Sequence, residues 1–192
     1  MAVAVVVARR PAAAGRPEPV TLLDGWCDTD PAAPISPRAL WVQPVTFPVA
    51  KAFVRRHHYL HSTPAGHRLS LGVWVSGRLV GCLIFGHPLA RHEDQDGTLE
   101  LVRMVLLDEC GRNSESRVLR VAARTLRQRM PQIHRLIAYA DQDQGHEGTV
   151  YAAAGWKRVA VTARVTGLGW GNRPGRTTDA KGPKAKWEIR FA

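Results

Sequence analysis

The sequence predicts an α/β (α+β) domain: one twisted mixed β-sheet flanked by helices, with a splayed pair of parallel strands forming a cleft. Three observations carry that prediction. The apolar strand LELVRMVLL (Leu99 to Leu107) runs into the polar turn DECGRN and a helix opening SESRVLR. A second strand, RLIAYAD (Arg135 to Asp141), follows, and strand, turn, helix, strand is a βαβ crossover. Upstream, Leu69 to Val75 and Arg78 to Phe85 are apolar runs joined by Ser76-Gly77, a tight hairpin turn.

Taken in order, residues 1 to 40 form a Pro/Ala-rich N-terminal arm. Pro11, Pro17, Pro19, Pro31, Pro34 and Pro37 forbid long helices there, leaving an extended segment with one short strand at Val3 to Val7. Residues 41–192 then read as a single domain with a basic C-terminal segment. A helix from Pro48 to Tyr59 starts at Thr46, with the proline tolerated in its first turn. It ends in RRHHYLH, which crowds His57, His58, Tyr59 and His61 together. Imidazoles beside a phenol can bind iron or another transition metal; taken singly, His57 reads as half-buried core and His61 as loop. His92 to Gly97 is a charged loop.

In the strand Leu99 to Leu107, period-two alternation puts Leu99, Leu101, Arg103 and Val105 on one face and Glu100, Val102 and Met104 on the other. Glu100 and Arg103 then point apart, and only a β-bulge between them lets both serve one site. The helix Ser114 to Met130 has Asn113 as N-cap and Glu115 in its first turn. Leu119, Ala122, Ala123, Leu126 and Met130 recur at helical spacing as its buried stripe, and Pro131 stops it. Arg117, Arg120, Arg124 and Arg127 fall on another face, solvated except that Arg117 can help hold an anion. Asp141 sits at a strand's carboxyl end, where open sheets place their sites, with Tyr139 on the same face. VYAAAGW is a short helix, Lys157 to Val165 a strand, Gly167 to Lys184 a Gly-rich basic loop and Lys186 to Phe191 a closing strand.

The 192 residues carry 27 Lys and Arg against 16 Asp and Glu, a net +11 that favours polyanionic partners. From Lys157 onward there are nine basic and two acidic residues, so the excess is concentrated there. Three scattered cysteines argue against a disulfide framework or a zinc knuckle. MAVAVVVARR is too short to span a membrane and lacks the charge order of a signal peptide, which makes a cytoplasmic protein the expectation.

The order hairpin, strand, turn, helix, strand, then Tyr151 ahead of Gly155-Trp156, resembles the GNAT acyltransferase superfamily. That implies a GNAT-like twisted mixed sheet and acetyl-CoA bound at the turn through Gly111, Asn113, Ser114 and Ser116; GRNSES replaces the glycine-rich phosphate loop usual there. A narrower set is similar to the phage Mom family: HHYLH (57–61), LVGCLIFGHP (79–88), LELVR (99–103), NSES (113–116), AYAD (138–141) and YAAAGW (151–156). That resemblance implies N6-carbamoylmethylation of adenine in DNA, protection of phage DNA from host restriction, acetyl-CoA and iron as cofactors, and the bacterial host's cytoplasm as location. It also implies roles. Tyr151 protonates a leaving thiolate or orients an intermediate, Asp141 is base or metal ligand, Arg103 holds the transferred group or the adenine, and His58 and Tyr59 face the same pocket, His58 as a second metal ligand.

Double-stranded DNA with a flipped adenine is the partner this reading expects. Trp170, Arg173, Arg176, Lys181 and Lys184, with Lys186, supply phosphate contacts and a stacking ring from the basic tail. Two alternatives stand beside it: a conventional GNAT N-acetyltransferase acting on a small-molecule or protein amine, and a non-catalytic DNA-binding module.

Overall fold

A computed structural model describes residues 33–63, 65–163 and 182–191. The strand expected at Val3 to Val7, most of the 1–40 arm, and Trp170, Arg173, Arg176 and Lys181 lie outside the described residues. The elements are β1 (Trp41–Pro44), α1 (Phe47–His57), β2 (His67–Val75), β3 (Arg78–Gly86), β4 (Thr98–Leu106), α2 (Ser114–Arg129), β5 (Arg135–Asp141), α3 (Thr149–Ala153), β6 (Lys157–Val161) and β7 (Lys184–Arg190). They make a seven-stranded sheet in the order β1-β2-β3-β4-β5-β7-β6. All neighbours are antiparallel except β4 and β5. Among the described residues no helix is long and apolar enough to cross a membrane.

The β2–β3 hairpin turns on Ser76 and Gly77, with φ of 47° and 84°. Positive φ at both central residues is what a two-residue turn needs to match the twist of its strands. At the start of α2, Asn113 is the N-cap as expected, but in left-handed backbone (φ 69°) and without a side-chain capping bond. Short β1, which the local pattern hid, pairs with β2 from Trp41↔Trp74 to Pro44↔Leu71. Just ahead of it, Leu40 is fully buried, and the Ile35 N–H donates to the Glu109 carbonyl at 2.8 Å.

The sheet separates two apolar layers. On one side Val118, Leu119, Ala122 and Leu126 of α2 pack with Leu71, Phe85, Leu99, Leu101, Met104 and Leu136. On the other, Ala50, Phe53 and Val54 of α1 pack on Cys82, Ile84, Val102 and Val105. The regular alternation expected along β4 is therefore broken, because Met104 joins Leu99 and Leu101 whereas Val105 joins Val102. The register supplies the reason: Ile84 opposes Arg103 and Phe85 opposes Leu101, so Val102 is an extra residue. It forms a β-bulge, which shifts the phase of the strand by one. Arg103, opposite Ile84, therefore shares the α1 face with Glu100.

β4 and β5 pair over only three positions, Thr98↔Arg135, Leu99↔Leu136 and Glu100↔Ile137. Beyond Glu100 the ladder stops while both strands continue, and the sheet splays open there. This is the cleft the sequence predicts, between the strands predicted to form it.

Candidate functional site

The splay collects side chains from several segments. From the end of α1 come His58 and Tyr59, their rings stacked with centroids 4.5 Å apart. The loop after β5 brings His146 edge-on to Tyr59 at 6.0 Å, fixed by the His146 N–H donating to the Asp141 carbonyl at 3.1 Å. From α3, Tyr151 lies tilted against Trp156 at 5.5 Å and Trp187 at 6.0 Å. From β4, Arg103 donates through Nε to the Ser62 carbonyl at 2.8 Å and through Nη1 to the Val102 carbonyl at 2.6 Å. Glu100, 5 % exposed, accepts the Leu89 N–H on Oε2 at 2.9 Å.

Burial and neighbouring charge fix the protonation states. His58 is lowered to about 4, first by burial and then by Arg103, His146 and His61, so it is neutral at ordinary pH. Its Nδ1 accepts the Leu60 N–H at 3.1 Å, which leaves the proton on Nε2. Burial pushes the Tyr151 phenol well above its usual range, with Tyr59 adding to the effect. Tyr139 is pushed up to about 12 by burial and by the carboxylates of Glu100 and Glu93. Glu100 is itself raised by burial, with the Leu89 N–H and Arg103 partly offsetting it.

Next to the cleft lies an ionic network that the sequence pattern did not reveal. Glu93, in the loop read only as charged, is 7 % exposed. It accepts from Arg135 Nη2 at 2.5 Å and from Lys186 Nζ. Burial works to raise its carboxyl, but Lys186 and Arg135 together hold it below the ordinary range. Lys186, expected on DNA phosphates, is thus committed to a buried carboxylate. Lys184 is likewise engaged: its Nζ is 2.5 Å from Asp141 Oδ2, so a residue expected on DNA and a residue expected in catalysis form one ion pair. The available signal was that Arg135, Tyr139 and Asp141 share a strand face, and a basic group on a half-buried face needs a counter-charge. Nothing local identified Glu93 as that charge.

Gly111, Asn113, Ser114 and Ser116 do lie together, on the turn into α2. The Gly111 N–H is spent on the Ile35 carbonyl at 2.9 Å, and the Ser114 N–H on the Gly111 carbonyl at 3.1 Å. Ser116 Oγ donates back to the Asn113 carbonyl at 3.2 Å. Beside them a groove of about 650 Å³ is lined by Ser36, Arg38, Asn113, Ser116, Arg117, Arg120 and Arg124. Ser114 Oγ and Arg117 Nε are buried without a hydrogen-bond partner among the described residues. Arg117 lines this groove and Ser114 does not; the Arg117 guanidinium with three more alongside fits an anionic pyrophosphate. Iron does not fit in the same way. Among the described residues no three His, Cys, Asp or Glu side chains converge on a metal position, and of the two expected ligands Asp141 is paired with Lys184 while His58 has only Nε2 to offer.

The profile of the Mom protein family matches residues 39–171. The methylcarbamoylase Mom of Escherichia phage Mu is 31 % identical over 125 residues, which cover 61 % of this chain and 52 % of that protein, so the chain spans about half the length of this curated relative. Among solved structures, an IAA acetyltransferase from Bacillus cereus superimposes with a TM-score of 0.56 at 9 % identity, covering 79 % of this chain and 99 % of that one. A Bacillus subtilis acetyltransferase in complex with CoA gives 0.55 at 9 % identity, covering 80 % and 99 %. These structures share the GNAT acetyltransferase fold with this chain.

Proposed function

The chain belongs to the Mom protein family, and from that premise we propose that it is a transferase altering the N6 amine of adenine in phage DNA, by N6-carbamoylmethylation, so that host restriction enzymes no longer cleave it. One observation carries this reading: His58, Tyr59, Arg103 and Tyr151 come together where the strands splay, and a groove along α2 carries guanidinium groups suited to a nucleotide coenzyme.

Asn113, Ser116 and Arg117, which line the groove, would hold the pyrophosphate of acetyl-CoA, which supplies an activated acyl thioester when bound. An N6–CH2 bond and a carboxamide also require a two-electron oxidant and an ammonia-level nitrogen donor as co-reactants, and this chain's own residues bind, orient and move protons. Tyr151 keeps its proton on Oη at any ordinary pH because ionising it in an apolar surround is costly, so it has a proton to give at the cleft. Neutral His58 carries its proton on Nε2, since Nδ1 accepts the Leu60 N–H. Tyr59, stacked on His58, offers a ring face to a base lifted from the duplex. Asp141, salt-bridged to Lys184, is the carboxylate at the strand end and takes a proton from the incoming amine.

Mass spectrometry of nucleosides from plasmid DNA after co-expression tests the proposal. A new adenine-derived nucleoside is expected, its mass equal to that of the carbamoylmethyl derivative. Unmodified nucleosides together with acetyl-CoA-dependent acetylation of an amine would reassign the protein as a conventional N-acetyltransferase, the reading that the shared fold alone supports.

A further inference from the structure

We propose that Glu100 and Arg103, brought to one face by the Val102 bulge, are a paired reader of the target base: Glu100 accepts from its exocyclic amine while Arg103 donates to the adjacent ring nitrogen. The proposal rests on the DNA-adenine reading above and deepens it by naming the edge recognised.

The argument starts from register. In a regular strand these two side chains stand on opposite faces; the extra residue at Val102 removes that obstacle. Glu100 is also the last β4 residue paired with β5, which puts it at the apex of the splay. Both groups keep unused hydrogen-bonding capacity among the described residues. Glu100 Oε2 takes the Leu89 N–H, while Oε1 takes no bond. Arg103 spends Nε and Nη1 on carbonyls and keeps Nη2. The two carbonyl bonds hold the guanidinium plane in place, so the free donor is preorganised. Burying a carboxylate and a guanidinium with spare valences costs free energy, and the cost is recovered when a ligand satisfies them.

An acceptor beside a donor is complementary to a donor beside an acceptor. Adenine presents that pattern as N6–H and N1, and cytosine as N4–H and N3. Guanine and hypoxanthine present the reverse, an O6 acceptor beside an N1–H donor, which sets oxygen against carboxylate. The pair therefore selects amino bases and rejects keto bases. The Tyr59 ring, 36 % exposed, is near enough to Arg103 to affect its charge, and supplies the stacking face that a flipped base needs.

The test uses the full chain and duplexes that differ only at one unpaired position, carrying adenine, hypoxanthine or 1-deazaadenine. Wild type is expected to bind the adenine duplex on the order of tenfold more tightly than either analogue, the discrimination one bidentate pair provides. Glu100→Gln keeps an acceptor for Leu89 and can rotate its amide toward a keto oxygen. It should collapse the adenine-to-hypoxanthine ratio and preserve the adenine-to-1-deazaadenine ratio. Arg103→Met removes the donor and should collapse the adenine-to-1-deazaadenine ratio, lowering the adenine-to-hypoxanthine ratio as well because the N1–H of hypoxanthine meets the same donor. Unchanged ratios in cooperatively melting variants overturn the pairing, as does a wild type that binds without discriminating or does not bind, and these wild-type results stand even where a variant fails to fold. If plasmid adenine is modified yet the ratios do not move, this inference fails and the function stands. If the ratios behave as expected while no nucleoside changes, the function fails and the reader stands.

Discussion

A histidine buried beside an arginine is held neutral, and His58 is so placed, 7 % exposed with Arg103 and His146 close by. In the unfolded chain it titrates near 6.5, and in the folded protein at about 4. Between those values the unfolded state binds more protons, so stability rises with pH across that window. The stabilisation is complete above about pH 6.5 and is lost as pH falls toward about 4. His58→Gln, which can still accept the Leu60 N–H, should flatten this dependence. Urea midpoints for both proteins at about pH 7.5 and about pH 5 check it, and parallel curves would assign the acid sensitivity to another group. Glu93 acts in the same direction at lower pH because its carboxyl is also depressed; the difference between wild type and variant isolates His58.

At the scale of elements, the bulge in β4 decides which side chains enter which layer. Deleting Val102 removes the extra residue, so plain alternation then keeps Met104 and Leu106 in the α2 layer and Arg103 on the α1 face, and the α1 layer loses only the Val102 side chain, which is 8 % exposed. Losing one buried valine costs about 1.5–3 kcal/mol, so the deletion variant should fold with a lowered urea midpoint. A variant that fails to fold would show that the bulge itself, and not only the packing of Val102, holds the strand in register.

Elements whose information is local were legible in the sequence. Arg135–Asp141 has the same bounds in the structure, and the hairpin turns at Ser76-Gly77 because the turn geometry is written in two residues. The buried stripe of α2 was legible through its period, with Leu119 and Leu126 fully buried. What the pattern missed depends on partners far along the chain. β1 is four residues ending in proline, and only β2 makes it a strand. Glu93 is a buried anion only because Arg135 and Lys186 reach it from β5 and β7. The candidate site divides in the same way: motifs nominate Tyr59, Arg103 and Tyr151, whereas the engagement of Lys184 and Lys186 with acidic partners had no local sign.

For the whole molecule, net charge sets the approach to DNA. Of the basic residues expected to contact phosphates, Lys184 and Lys186 are neutralised by Asp141 and Glu93; Arg173, Arg176 and Lys181 are the ones left to test. Binding of duplex DNA should weaken linearly in a plot of log affinity against log salt. The variant Arg173→Ala/Arg176→Ala/Lys181→Ala should bind more weakly, with a slope shallower by about 0.9 for each phosphate it no longer neutralises. Equal slopes would move the DNA path to another surface, of which the arginine groove along α2 is the alternative the charge distribution favours.

The sheet order has a consequence for how the cleft comes into being. β7 lies between β5 and β6 although β6 precedes it in the chain. The β1–β4 side can grow by short-range pairing of successive strands. The β5 side waits for a closure spanning 43 residues, the separation of Asp141 and Lys184, and closures of that kind are slow because chain entropy is lost before contacts reward it. Until β7 arrives, β6 has no neighbour to pair with, Asp141 has no lysine and Glu93 lacks one of its two cations. The wall bearing Glu100 and Arg103 therefore assembles early and the opposite wall late, so a partly folded chain exposes base-reading groups without the residues that would act on the base.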